Sequence, residues 1–245
     1  MKILGIIPSR YASTRFPGKP LAMIDGKSMI QRVFEQAIKS ASLTKVIVAT
    51  DDSRIFDHVE SFNGNVVMTS SEHLNGTSRC WEVVEQSDEN YDVVVNIQGD
   101  EPFINPVQIN QVANIFENSE VEIATLVKKI DESTELFNSN VVKVVFEREK
   151  KALFFSRQPI PFLRGIQQEE WLRKHDFFKH IGIYAYRCDV LKRIVKLKPS
   201  ELEKAENLEQ LRWLENGFKI NVRVTAIEAA SIDTPDDLLK LTNKP

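Results

Sequence analysis

Apolar residues along the first half of the chain follow two spacings in turn. Residues 3–8 form a nearly unbroken apolar run, the pattern of a strand buried on both faces. Met29, Ile30, Val33, Phe34, Ala37 and Ile38 then recur at helical spacing. Residues 45–50 predict a second buried strand, with Ser53 as cap of the helix that follows. A third strand is expected over 65–68, a helix over 77–84 and a fourth strand over 92–97. Pro106 suits the first turn of a helix capped by Asn105.

The second half is less regular. Residues 141–146 and 152–155 predict a hairpin, and 182–186 another strand. Residues 205–216 read as one helix stopped by Gly217, followed by a strand over 220–224. The last helix starts with Thr234 as cap, Pro235 as first residue and Asp237 completing a capping box. Residues 159–179 are polar and mixed, so the stretch from about 155 to 190 reads as an insertion, a lid or a dimerisation arm. No repeat or linker divides the chain, and 1–245 is expected to form a single domain. Strand–helix alternation implies the α/β class, with a mostly parallel central sheet, helices on both faces and a smaller β-containing extension. Such sheets bind ligands beyond the carboxyl ends of their strands.

Composition narrows the function. The 245 residues are 42% hydrophobic and 27% charged, which excludes disordered, collagenous and membrane-spanning chains. Lys+Arg 32 against Asp+Glu 35 gives a net charge of -3, which argues against a nucleic-acid partner. The first apolar run is too short for a secretory signal and no window suits a spanning helix, so a cytoplasmic protein without a membrane partner is expected. Cys80 and Cys188 lack zinc-site spacing and read as small apolar residues.

The loop after the first strand carries Arg10, Arg15 and Lys19 and no acidic residue before Asp25. Three cations at a strand's carboxyl end suit a polyphosphate, although a solvated basic loop would read the same way. Gly26-Lys27-Ser28 ends like a Walker A motif, but Leu21 stands where its first glycine belongs. The GxGxxG fingerprint is also absent, which disfavours a nicotinamide dehydrogenase. Asp100 follows the fourth strand directly after Gly99, where a carboxylate can hold Mg2+. Asp233 has no evident structural task, because Thr234 fits the helix cap better.

Residues 8–21 resemble the N-terminal signature of the 3-deoxy-manno-octulosonate cytidylyltransferases (CMP-Kdo synthetases). The resemblance continues through Asn75-Gly76-Thr77-Ser78-Arg79, residues 95–102, residues 140–145, Phe155-Ser156-Arg157 and Ile160-Pro161. It extends through residues 180–187, 208–212 and 233–238 in the family's order, over nearly the whole chain. It implies a Rossmann-like nucleotide-diphospho-sugar transferase fold and CMP transfer from CTP to Kdo, with 8-amino-Kdo or a sialic acid as the alternative sugar. It implies Mg2+ on Asp100 and Asp233, with Arg10 and Lys19 beside them in catalysis. CTP would be held by Pro8, Ser9, Arg10, Arg15, Lys19, Gly76, Thr77, Arg79 and Gln98, where Arg79 could instead orient carboxylates. Gln98, Arg157, Arg164, His180, Tyr184 and Glu209 would hold the sugar. His180 and Tyr184, four apart, share one face of a regular strand. Trp171, Trp213 and Phe177-Phe178 read as packing or interface residues. A homodimer serving lipopolysaccharide assembly is implied by resemblance alone. A non-catalytic nucleotide-binding module is the rival class, and the paired carboxylates argue against it.

Overall fold

The computed structural model describes residues 1–12, 16–228, 231–232 and 234–242. The elements are β1 (Ile3–Ser9), β2 (Met23–Ile24), β3 (Lys27–Ser28), α1 (Met29–Ala37), β4 (Lys45–Thr50), α2 (Ser53–Ser61), β5 (Val66–Met68), α3 (Gly76–Gln86), β6 (Val93–Asn96), α4 (Pro106–Ala113) and β7 (Ile123–Lys129). There follow α5 (Ser133–Leu136), β8 (Lys143–Phe146), β9 (Ala152–Ser156), α6 (Trp171–Lys174), β10 (Phe178–Arg187), α7 (Cys188–Ile194), α8 (Glu201–Glu206), α9 (Glu209–Glu215), β11 (Ile220–Val224) and α10 (Pro235–Thr242).

The main sheet runs β11-β7-β10-β6-β1-β4-β5, with the β8–β9 hairpin attached to β10. Pairs β1–β4, β1–β6, β4–β5 and β11–β7 are parallel, while β10 runs antiparallel between β6 and β7. Successive side chains of a strand point to opposite faces. Ile3, Ile7, Val93 and Val95 accordingly pack with α1, α2 and α4 on one face. Leu4, Ile6 and Val94 pack with Cys80, Leu191, Leu211 and Trp213 of α3, α7 and α9 on the other. Burial on both faces explains why the strands read as apolar runs rather than alternating ones.

Several expectations change in detail. Asp52, not Ser53, caps α2: its extended backbone lets the carboxylate accept from Arg54 N at 3.0 Å. The helix expected over 205–216 is two helices. Asn207 takes a left-handed φ of 51°, which closes α8 and turns the chain into α9. The strand expected over 182–186 begins at Phe178, and the sequence pattern did not disclose β7. Thr234 and Asp237 form the expected reciprocal cap of α10. Within 159–179, Trp171 and Phe177 stack and close a small apolar cluster with Ile130 and Leu136, so this stretch packs on its own miniature core.

Candidate active site

β1 and β6 are neighbours, so their carboxyl ends stand side by side. Gly99 makes that approach possible, since a Cβ there would lie 2.9 Å from Pro8 O and 3.1 Å from Ser9 Oγ. Beyond these ends opens a cavity of about 310 Å3, at the small end of ligand-pocket sizes. Its walls are Pro8 and Arg10 after β1, Asn75–Thr77 and Arg79 of α3, and Asn96, Gln98 and Gly99 after β6. Its floor is Gly182, Tyr184 and Tyr186 of β10 with Glu209, Gln210 and Trp213 of α9.

The wall residues are fixed in different ways. Asn75 caps α3 by accepting from Ser78 N, and the helix's positive end faces the cavity. Thr77 Oγ1 donates to Glu209 Oε2 at 2.9 Å, while burial raises the Glu209 carboxyl above its ordinary range. Gln98 Nε2 donates to Gly182 O at 2.8 Å. Arg10 is exposed and donates to His73 O at 3.2 Å. Arg79 is 1% exposed and is a strut: Nη2 donates to Asp51 Oδ2 at 2.9 Å and Nη1 to Thr69. Ser9 is buried and its Oγ has no protein partner.

At the rim, Lys19 follows Gly18, whose φ of 71° turns the loop back toward the sheet. Lys19 Nζ donates to Asp100 Oδ2 at 2.7 Å and to Ile232 O at 2.9 Å, and Ile232 N donates to Asp100 O at 3.0 Å. Arg15 and Asp233, the other expected phosphate and metal groups, lie outside the described residues. Among the described residues no group of three or more His, Cys, Asp or Glu side chains is disposed to hold a metal. The donor chemistry of Asp100 still fits Mg2+, which takes one or two carboxylates and fills its shell with phosphate oxygens and water.

A second cavity of about 300 Å3 shares Gly182 with the first. Glu101, Glu135, Asn140, Lys179, His180 and Glu228 line it. Lys179 Nζ sits 2.5 Å from Glu135 Oε1 and 2.6 Å from Glu228 Oε1. Burial, and then the neighbouring charges of Asp100 and Glu228, push the Glu101 carboxyl up to about 7. His180 Nε2 lies 3.0 Å from Thr125 Oγ1, and burial lowers the imidazole to about 4, so it is neutral. The His180 and Tyr184 rings meet at 5.0 Å across a register shift between Ile181 and Tyr184, in place of the expected regular strand, and each lines a different cavity.

Two residues assigned to the sugar line neither cavity. Arg157 spends its guanidinium on main-chain carbonyls, donating to Glu206 O at 2.7 Å, Ser139 O at 3.0 Å and Asn207 O at 3.3 Å. Arg164 is exposed on the 159–179 stretch. Conversely, the sequence reading passed over Asn96, Tyr186, Gln210 and Trp213 in the first cavity and Lys179 and Glu228 in the second. Tyr186 follows Tyr184 at strand spacing and Trp213 follows Glu209 at helix spacing, signals that could have found both. Nothing in sequence links Lys179 to Glu228.

The cytidylyltransferase family model matches residues 4–220. The chain is 56% identical over 244 residues to a 3-deoxy-manno-octulosonate cytidylyltransferase of Parabacteroides distasonis, covering 98% of this chain and 96% of that one. It is 53% identical to a protein of the same name from Cytophaga hutchinsonii, covering 99% and 97%. A solved structure of CMP:2-keto-3-deoxy-manno-octonic acid synthetase complexed with CTP superposes with a TM-score of 0.92 at 40% identity, over 99% of this chain and 97% of that one. A 4-diphosphocytidyl-2C-methyl-D-erythritol synthase from Anaerococcus prevotii, at 12% identity and a TM-score of 0.62, shares the fold over 98% of this chain and 97% of its own.

Proposed function

The chain belongs to the cytidylyltransferase family, and on that premise we propose that it transfers CMP from CTP to Kdo, giving CMP-Kdo and diphosphate. The relatives' names carry Kdo and do not favour the 8-amino sugar. The observation that carries the reading is the Lys19–Asp100 pair, one residue beyond the Gly99 that lines a polar cavity built on adjacent strand ends.

Arg10, Arg15 and Lys19 bind the triphosphate and the departing diphosphate. Lys19 leaves Asp100 for phosphate oxygens as CTP enters, because a polyphosphate offers it more negative charge than one carboxylate does. Asp100 and Asp233 would hold Mg2+, which would supply charge neutralisation at the phosphates. The C2 hydroxyl of Kdo gives up its proton to solvent as it attacks the α-phosphorus in line, the bond to the bridging oxygen of the β-phosphate breaks, and diphosphate leaves. Catalysis is positioning and electrostatics, with no covalent enzyme intermediate. The amides at the start of α3 and the Pro8–Arg10 wall hold the nucleotide. Gln98, Tyr184 and Glu209 take the sugar, with His180 behind them. Arg157 serves the sugar side by holding Asn207 and, through it, Glu209.

The product feeds lipopolysaccharide assembly, and the enzyme acts in the cytoplasm as a homodimer of single-domain subunits. The support for compartment and dimer is family resemblance. Among the described residues no helix is long and apolar enough to cross a membrane. Diphosphate release from CTP with Mg2+ tests the reading. Release that requires Kdo is expected. A folded protein that releases none with Kdo, 8-amino-Kdo or N-acetylneuraminate overturns it.

A further inference from the structure

The floor of the first cavity holds an unusual set of polar atoms. Tyr186 is fully buried and Trp213 is 1% exposed, yet neither Tyr186 Oη nor Trp213 Nε1 has a hydrogen-bond partner in the protein. Tyr184 Oη, beside them, has none either. Thr77 is a polar neighbour of Tyr186, but its one proton goes to Glu209, so it has none to give the phenol. Packing alone does not ask for these groups. Phenylalanine would fill nearly the same volume as either tyrosine, and a buried polar atom without a partner costs about 1–3 kcal/mol.

The three rings form a unit. Tyr184 and Tyr186 stack at 6.0 Å, and Trp213 meets both edge-on at 5.2 and 5.5 Å. That packing fixes the direction of each polar atom. Burial and the charge of Glu209 keep both phenols protonated, so they remain donors. Glu209 presents a carboxylate to the same floor. One acceptor beside several donors is the complement of hydroxyl groups, each of which both gives and takes a hydrogen bond.

We propose that Tyr186 Oη and Trp213 Nε1 are specificity groups that donate to a pair of sugar hydroxyls whose own protons go to Glu209, so that the floor reads a diol. The inference rests on the proposed transfer to Kdo and adds which residues recognise the hydroxylated end of that acceptor. Tyr186 and Trp213 touch neither nucleotide nor phosphate in this arrangement.

The test compares Tyr186→Phe and Trp213→Phe with the wild type in steady-state diphosphate release, varying Kdo and CTP separately. Loss of one buried donor is expected to raise the KM for Kdo about tenfold in each variant, within the range of about 5- to 150-fold that a coupling of 1–3 kcal/mol gives. The KM for CTP is expected to stay within about twofold. The thermal midpoint of Tyr186→Phe should not fall, since that substitution keeps the ring packing, whereas Trp213→Phe trims a buried ring and should lower it, so its kinetics are read well below its own midpoint. Wild-type enzyme should also reject a Kdo analogue lacking one exocyclic hydroxyl, and one of the two variants should no longer distinguish it from Kdo. An unchanged KM for Kdo in both variants overturns the proposal, as does an equal rise for both substrates. If a variant does not fold, a wild type that accepts every monodeoxy analogue equally overturns it independently. Absence of Kdo-dependent release by the wild type would instead sink the functional reading on which the inference rests.

Discussion

The two cavities that meet at Gly182 are of nearly equal size, about 310 and 300 Å3, but their polar groups are arranged oppositely. In the second, most polar groups are paired inside the protein: Lys179 lies between Glu135 and Glu228, and His180 is paired with Thr125, with Glu101 the exception. In the first, Tyr184, Tyr186 and Trp213 present polar atoms with no protein partner. A paired buried group stabilises the fold, while an unpaired one is tolerated only where something else completes it. On the proposed reading the second cavity is mainly a brace, and the first is the one that takes the ligand. Lys179 and Lys128 hold Glu228, and Ile232 is tied to both Asp100 and Lys19.

Substitutions can break this contrast, starting where the effect is largest. Asp100→Asn at the rim is expected to lower kcat by about 10^3-fold or more with the thermal midpoint unchanged, because the charge facing the phosphates is lost. An active, folded variant would remove Asp100 from the metal site. Lys19→Ala is expected to cost about 10^2-fold in kcat/KM for CTP, with little change in the KM for Kdo. Unchanged CTP kinetics would exclude Lys19 from triphosphate binding.

The second cavity should answer in stability. Lys179→Met leaves Glu135 and Glu228 facing each other, and a loss of about 2 kcal/mol, or roughly 5 °C, is expected by thermal denaturation. The figure lies below that for a fully buried pair because the carboxylates are 34% and 37% exposed and partly screened by water. A large rise in the KM for Kdo with no change in stability would turn the brace into a binding site.

The smallest effect is a pH dependence. His180 has its folded pKa lowered from 6.5 to about 4 by burial. The unfolded chain therefore takes up this proton first as pH falls. The stability tied to a neutral imidazole is complete above pH 6.5 and is lost as pH falls from there towards 4. Denaturant titrations across that window should show a steeper loss for wild type than for His180→Gln. Equal slopes would mean that His180 is hydrated rather than buried against Phe155 and Tyr184.

Much of the site was legible because strand and helix ends carry local signals. The apolar runs placed β1, β4 and β6. Gly99-Asp100 marks a carboxylate at a strand end, and Lys19 marks its cationic neighbour. Asn75, Thr77 and Glu209 stood inside recognisable blocks. Arg157 shows the limit. Its residue type suits a sugar carboxylate, but its guanidinium is taken up by carbonyls from two other loops, contacts that no spacing encodes.

By itself the sequence determined the local elements and their ends. Apolar period, the caps at Asn75, Asn105 and Thr234, and the left-handed turn at Gly217 depend on neighbours a few residues away. Only the tertiary structure decided where β10 goes. It inserts antiparallel between β6 and β7, with a register shift between Ile181 and Tyr184, and so carries Lys179 to one cavity and Tyr184 and Tyr186 to the other. That pairing joins residues from 49 to 94 positions apart. Its free energy comes from burying both faces of the whole sheet at once, which no single stretch of sequence contains.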